Sequence, residues 1–279
     1  MKKFLYSLSI IISVLLISCS KTETQSPSSK WENATLFWSE DFNGTVVDTS
    51  EWIFQTGDHG WGNDELQDYQ PFGSDNAIVK DGALHIVARK VGEGQNVGDY
   101  TSTRIRSRRS FKYGRMEVRA KMPDYKGPGL WPAIWMLGEN IREVGWPDCG
   151  EIDIMEYVSW RPDSTLATIH SRANNHRDKT QISSGFVALP TIEEEFHDFG
   201  ILWDEESLEF YVDDPDNILL SIPRPEDPDQ DNWPFSNPHF FILNVAVGGG
   251  LGGVEGVDDS IFPASMIIDH VKVWKLEDQ

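Results

Sequence analysis

Only two cysteines, Cys19 and Cys149, occur in 279 residues. No disulfide framework organises this fold, which must rest on its core. Basic side chains are also scarce, 24 Lys and Arg against 45 Asp and Glu, a formal charge of -21. That field repels nucleic acid and other polyanions, so a neutral ligand suits it better. No window shows a long capped amphipathic helix, and there is no internal repeat. What is plentiful is apolar and aromatic surface, 39% and 11% of residues, enough for one domain of catalytic size.

The N-terminus reads as separate from that domain. Lys2 and Lys3 precede an apolar run from Phe4 to Ile17, the pattern of a secretory signal rather than a membrane span. Leu16-Ile17-Ser18-Cys19 resembles a bacterial lipobox. The resemblance implies residues 1–18 as a lipoprotein signal peptide, removed before Cys19, and diacylglycerol on the Cys19 thiol as a membrane anchor. Losing Lys2 and Lys3 takes the charge from -21 to -23. The alternative is a plain signal peptide with an incidental cysteine. Residues 19–33 read as a lipidated polar tether, and 34–279 as the folded domain. Cys149 is then left without a partner.

Periodicity along the domain is two. In GRMEVRAKM, Met116, Val118, Ala120 and Met122 alternate with Arg115, Glu117, Arg119 and Lys121, and ALHIVARK and HVKVWK behave alike. Gly and Pro, 23 and 15 residues, punctuate at short intervals. The expected fold is all-β, an antiparallel sandwich, with the acidic, Pro-rich stretch 223–234 as a surface loop.

One strand carries unusual charge. In GEIDIMEYV, Glu151 and Asp153 share a face while Ile152 and Ile154 point to the core, but Glu156, five residues after Glu151, falls on the core side of a regular strand. A buried lone carboxylate is costly, so a β-bulge near Met155 is expected to return Glu156 to the face of Glu151. Three acids with no interleaved Lys or Arg make poor surface decoration. They make good glycosidase chemistry, in which one carboxylate attacks and one carboxyl donates a proton, with crowding setting their pKa values apart.

GEIDIMEYV, taken with YTSTRI, FKYGRMEVRAKMP, GLWPAIWMLGENI, VGWPDCGEIDIMEY, TIHS and FFILNVAVGG, resembles the family-16 glycoside hydrolases, laminarinase-like endo-β-1,3-glucanases among them. The resemblance runs through nearly all of residues 35 to 275. It implies a β-jelly-roll sandwich of two antiparallel sheets, a cleft across the concave sheet and a retaining mechanism. Glu151 then matches the nucleophile, Glu156 the acid/base and Asp153 the residue supporting both. Asn63, Arg104, Trp131, Trp135, Trp146, His170 and Asn244 match substrate-binding positions. Each Trp is either cleft or core, with one of the WPAIW pair expected to be structural, and His170 is either a cleft residue or a satisfied inner-sheet histidine. Glu40, the carbonyl of Gly82 and Asp269 match a structural Ca²⁺ site, or are a turn glycine and two surface acids. No cofactor is expected for catalysis.

Two departures from the family pattern stand out. The loop AVGGGLGGVEG has no aromatic ring and is expected to be flexible, and WGNDELQDY carries Asp64 and Asp68. Arg104, Arg106 and Arg108, with Arg109, form either a sulfate-holding face or, the reading preferred here, a basic solvated edge balancing nearby acids. The expected protein is a monomeric outer-envelope lipoprotein cleaving a neutral β-1,3-glucan. The rivals are agarase or mixed-linkage activity, and a non-catalytic glucan-binding protein.

Overall fold

The computed structural model describes residues 26–277. Alternation in the sequence becomes two stacked sheets, of ten and eight strands among the described residues. The eight-stranded inner sheet runs, in spatial order, Ile182–Ser183, Ser164–His170, Glu151–Glu156, Leu130–Gly138, His239–Val247, Arg104–Ser107, Trp52–Gln55, with Val187–Ala188 beside Ser164–His170. The middle of the outer sheet is Ser207–Val212, His197–Trp203, Gly114–Lys121, Ala264–Lys275 and Ala83–Lys90. Pairing is antiparallel except between the short strands Gln67–Tyr69 and Tyr100–Ser102, which are parallel.

The period-two residues fill the space between the sheets. Met116, Val118 and Ala120 of the outer sheet meet Ile134, Met136, Ile152, Leu243 and Val245 of the inner one, all fully buried. Each of these Met, Val, Ile and Leu side chains contributes about 1.5–3 kcal/mol on leaving water. The other face of the inner sheet is thereby free to carry polar groups without disturbing the core.

The tether expected over 19–33 is not wholly detached. From Ser26 the chain lies on the outer sheet: Pro27–Trp31 forms a 3-10 turn, and Trp31, 5% exposed, packs on Leu202 and Tyr211. Lys30 pairs with Asp204 at 2.6 Å, and the Ser26 hydroxyl donates to Asp216 at 2.6 Å. The composition of SKTETQSPSSK is polar, but the one aromatic that follows it finds an apolar patch. The proposed signal peptide and Cys19 lie outside the described residues.

Candidate active site

The strand Glu151–Glu156 is irregular where its charge pattern requires it. Against Leu130–Gly138 the register slips between Asp153 and Met155, and against Ser164–His170 between Asp153 and Glu156. Ile154 and Met155 both turn into the core, 2% and 0% exposed. Glu156 comes round to line the same cleft as Glu151 and Asp153. Two indoles address the glutamates separately: Trp146 Nε1 donates to Glu151 Oε2 at 2.8 Å and Trp131 Nε1 to Glu156 Oε1 at 3.0 Å. His170, opposite Glu151 in the register, places Nε2 at 3.3 Å from Asp153 Oδ2 and 3.8 Å from Glu151 Oε1.

Burial and mutual repulsion raise the pKa of all three acids. Burial, then the charge of Asp153, pushes Glu151 up to about 8, against the pull of His170 and the Trp146 N–H. Asp153 is driven well above the usual carboxylate range by burial and by Glu156. Burial also lifts Glu156, opposed by His170 and the Trp131 N–H. Three charges cannot coexist here, so the cluster retains protons at neutral pH. A proton donor beside a carboxylate is the pairing that acid-assisted displacement needs.

The cleft extends from the acids across Leu130–Gly138 and His239–Val247 toward Arg104–Ser107. Asn63, Arg104, Trp131, Trp135, Trp146 and Asn244 line it, and His170 lines the adjoining hollow with Thr168. The structural role expected for one of Trp131 and Trp135 is corrected: residues four apart on a strand share a face, and both indoles are on the cleft side. The basic edge is corrected for Arg104 and Arg106, while Arg108 and Arg109 are exposed as expected. Arg104 is 9% exposed and sits between the rings of Trp61 and Trp135, at 4.6 and 4.7 Å. Arg106 lies over Phe240, and only Arg109 of the four pairs with an acid, Glu51. Arg104 faces the cleft because the parity of Arg104–Ser107 is fixed by Ile105, which is buried in the core.

The glycine loop is not loose. Gly249–Gly252 is a helical turn, the Gly250 N–H donates to Asn63 O at 2.7 Å, and a Cβ on Gly252 would lie 2.8 Å from Trp131 Cβ. Glycine serves close approach here rather than mobility.

Several cleft residues have no counterpart in the sequence reading: His59, Trp61, Glu65, His176 and Arg177. Glu65, 3% exposed, accepts from Asn63 Nδ2 (3.1 Å), Gln67 Nε2 (2.6 Å) and the Tyr69 hydroxyl (3.3 Å). Tyr69 in turn accepts from Asn244 Nδ2 at 3.0 Å, and Asn244 Oδ1 from Trp135 Nε1 at 2.7 Å. The signal was present in WGNDELQDY, where Asn63, Glu65, Gln67 and Tyr69 alternate. His176 and Arg177 pack on the Trp146 ring from a loop with no pattern of its own.

Away from the cleft, the register gathers the three calcium candidates at one corner. Glu40 pairs with Val271, Gly82 lies two residues beyond the pair Leu84–Ile268, and Asp269 sits in the bulge between Ile268 and His270. Glu40 already accepts from the Phe42 N–H and Trp52 Nε1. The candidates supply oxygen only, two carboxylates and a carbonyl, the donor type that Ca²⁺ takes.

Comparison with known proteins agrees with this geometry. The family model described as "Glycosyl hydrolases family 16" matches residues 66–249. The chain is 40% identical over 284 residues to a beta-glucanase of Rhodothermus marinus, covering 99% of this chain and 96% of that protein. It is 36% identical to a glucan endo-1,3-beta-glucosidase of Cryptopygus antarcticus, with 86% and 91% covered. The solved laminarinase of Rhodothermus marinus superposes with a TM-score of 0.80 at 39% identity, over 87% of this chain and 97% of that one. A two-sheet sandwich, a bulged strand bearing three acids and a match of this extent have one common explanation: the chain belongs to family 16 of the glycosyl hydrolases.

Proposed function

We propose that the protein is an endo-acting, retaining hydrolase of β-1,3-glucosidic bonds in a laminarin-type glucan. The observation that carries the reading is the bulge at Met155, which brings Glu151 and Glu156 into one cleft with a separate indole N–H on each, and the family resemblance assigns their roles. In the form of the cluster with its charge on Glu151 and a proton on Glu156, Glu151 attacks the anomeric carbon while Glu156 gives its proton to the departing oxygen, leaving a glycosyl ester on Glu151. Esterification removes the charge from Glu151, so Glu156 loses a reason to hold a proton and accepts one from the water that cleaves the ester. Asp153 shares the remaining proton of the cluster and steadies the charge on Glu151. Trp131, Trp135 and Trp146 offer ring faces and edges to sugar C–H surfaces, while Asn63, Arg104, His170 and Asn244 offer hydrogen bonds to hydroxyls.

The same reading includes a Ca²⁺ held by Glu40, Gly82 and Asp269, and a monomer anchored to the cell envelope through lipid on Cys19. The name of the Cryptopygus antarcticus relative, a glucan endo-1,3-beta-glucosidase, supports the linkage.

A panel of laminarin, lichenan and agarose checks the substrate. Laminarin should be cleaved fastest, and equal or faster cleavage of agarose rejects the assignment. Azide rescue checks the roles: Glu156→Ala should give a β-glycosyl azide from an activated aryl glucoside, and Glu151→Ala the α-azide. The reverse pattern exchanges the two glutamates, and full activity in either variant removes the catalytic reading.

A further inference from the structure

On the solvent side of the outer sheet, Glu117 of Gly114–Lys121, Asp198 of His197–Trp203 and His270 of Ala264–Lys275 each place one donor atom within 4.8 Å of the other two. The group belongs to the sheet opposite the cleft and takes no part in the proposed hydrolysis. We propose that it is a binding site for a divalent transition ion of the Zn²⁺ class.

The hydrogen bonds around the three residues leave their facing atoms unengaged. His270 Nδ1 lies 2.8 Å from Asp269 Oδ2, so that nitrogen carries hydrogen and donates. Nε2 is buried without a partner, and so is Asp198 Oδ1. Glu117, 6% exposed, uses Oε2 to accept from Arg115 and the Tyr211 hydroxyl, at 2.8 and 2.9 Å. Its Oε1 faces His270 Nε2 at 3.9 Å, beyond hydrogen-bond reach. Arg119 engages Asp198 through Oδ2 at 3.1 Å. Each arginine therefore occupies one oxygen of its carboxylate and orients the other.

The three side chains thus converge with His270 Nε2 and Asp198 Oδ1 unpartnered. A metal ion about 2.0–2.2 Å from each ligand spans the gap between Nε2 and Oε1, and the other separations close by small side-chain movements. One nitrogen and two carboxylates suit Zn²⁺ better than Ca²⁺, which takes oxygen throughout. The Asp269–His270 contact is the carboxylate support usual for a metal-bound imidazole. Bound there, the ion would tie three adjacent strands contributed by distant parts of the chain.

The test uses the full folded protein stripped of metal. Calorimetric titration with Zn²⁺ should show one equivalent bound, Co²⁺ should develop visible absorbance from a site with a nitrogen ligand, and Zn²⁺ at a hundredfold excess over Kd should raise Tm by about 5–10 °C. His270→Ala and Asp198→Asn should each abolish the Co²⁺ band and the Zn²⁺ shift while leaving laminarin cleavage unchanged. Glu40→Gln should keep both metal responses, which separates this site from the calcium corner. Absence of Zn²⁺ binding to the stripped wild type, or binding unaltered in both variants, overturns the proposal, as does binding of Ca²⁺ in place of Zn²⁺ at these residues.

Discussion

At the scale of single residues, the acids are arranged for chemistry at a cost in stability. Glu151 has its pKa pushed up to about 8 in the folded protein, whereas an unfolded chain holds it near the ordinary glutamate value. Its folded pKa being raised, the native state binds the proton more tightly. The associated stability is complete below the unfolded pKa and is lost as pH rises through about 8. Glu151→Gln carries no charge at any pH, so it should be more stable than wild type at pH 8, by about 1–4 kcal/mol, with the gain vanishing near pH 4. Thermal melts of the two proteins across that range check this. A variant equally stable or less stable at pH 8 would show that the buried carboxylate is not strained. The Glu151–Glu156 spacing made the acids legible in the sequence, because an odd separation on a strand bearing like charges demands an explanation. Glu65 was harder to see: its donors Asn63, Gln67 and Tyr69 are close by, but the network reaches the cleft through Tyr69 to Asn244 and Trp135, far along the chain.

Elements explain what residues alone do not. Parity along a strand is set by its core-facing members, so Ile134 and Met136 in the core fix Trp131 and Trp135 on the cleft side, and Ile105 does the same for Arg104. That much follows from alternation. Which loop backs the cleft does not, because a run of glycines carries no side-chain pattern and reads as freedom. In the fold, Gly249–Gly252 presses its backbone on Trp131 and Asn63, and Trp160 Nε1 donates to Leu251 O at 2.8 Å. Gly252 has no unusual backbone requirement, so only space forbids a side chain there. Gly252→Ala should push Trp131 off Glu156, costing about 1–3 kcal/mol of stability. Catalysis should suffer more than fold: kcat should drop about tenfold or more as the indole N–H leaves the acid. Steady-state kinetics and a melt on the same preparation decide it, since an unchanged kcat would mean that the loop can give way without moving Trp131.

For the molecule as a whole, the first and last strands of the sandwich are neighbours. Thr35–Glu40 pairs with Ala264–Lys275, so the outer sheet closes only when the two ends of the domain meet. Joining residues so far apart is entropically expensive, which makes this seam a natural place for a stabilising ion. Glu40 comes from one end, Asp269 from the other, and Gly82 from the turn beside them. The cleft, by contrast, is on the far side of the inner sheet, and its three acids lie on Glu151–Glu156, away from the seam. On the proposal that Ca²⁺ sits at this corner, a chelator should lower Tm while leaving laminarin cleavage at 25 °C intact. An ion present at a hundredfold over its Kd stabilises by about 2.7 kcal/mol, which for a domain of this size is a shift of roughly 5–11 °C. Glu40→Gln should melt like the chelated protein and stop responding to calcium. If wild type and variant respond equally, the corner does not hold the ion; if chelation abolishes activity at a temperature where the protein stays folded, the separation of seam from cleft is wrong.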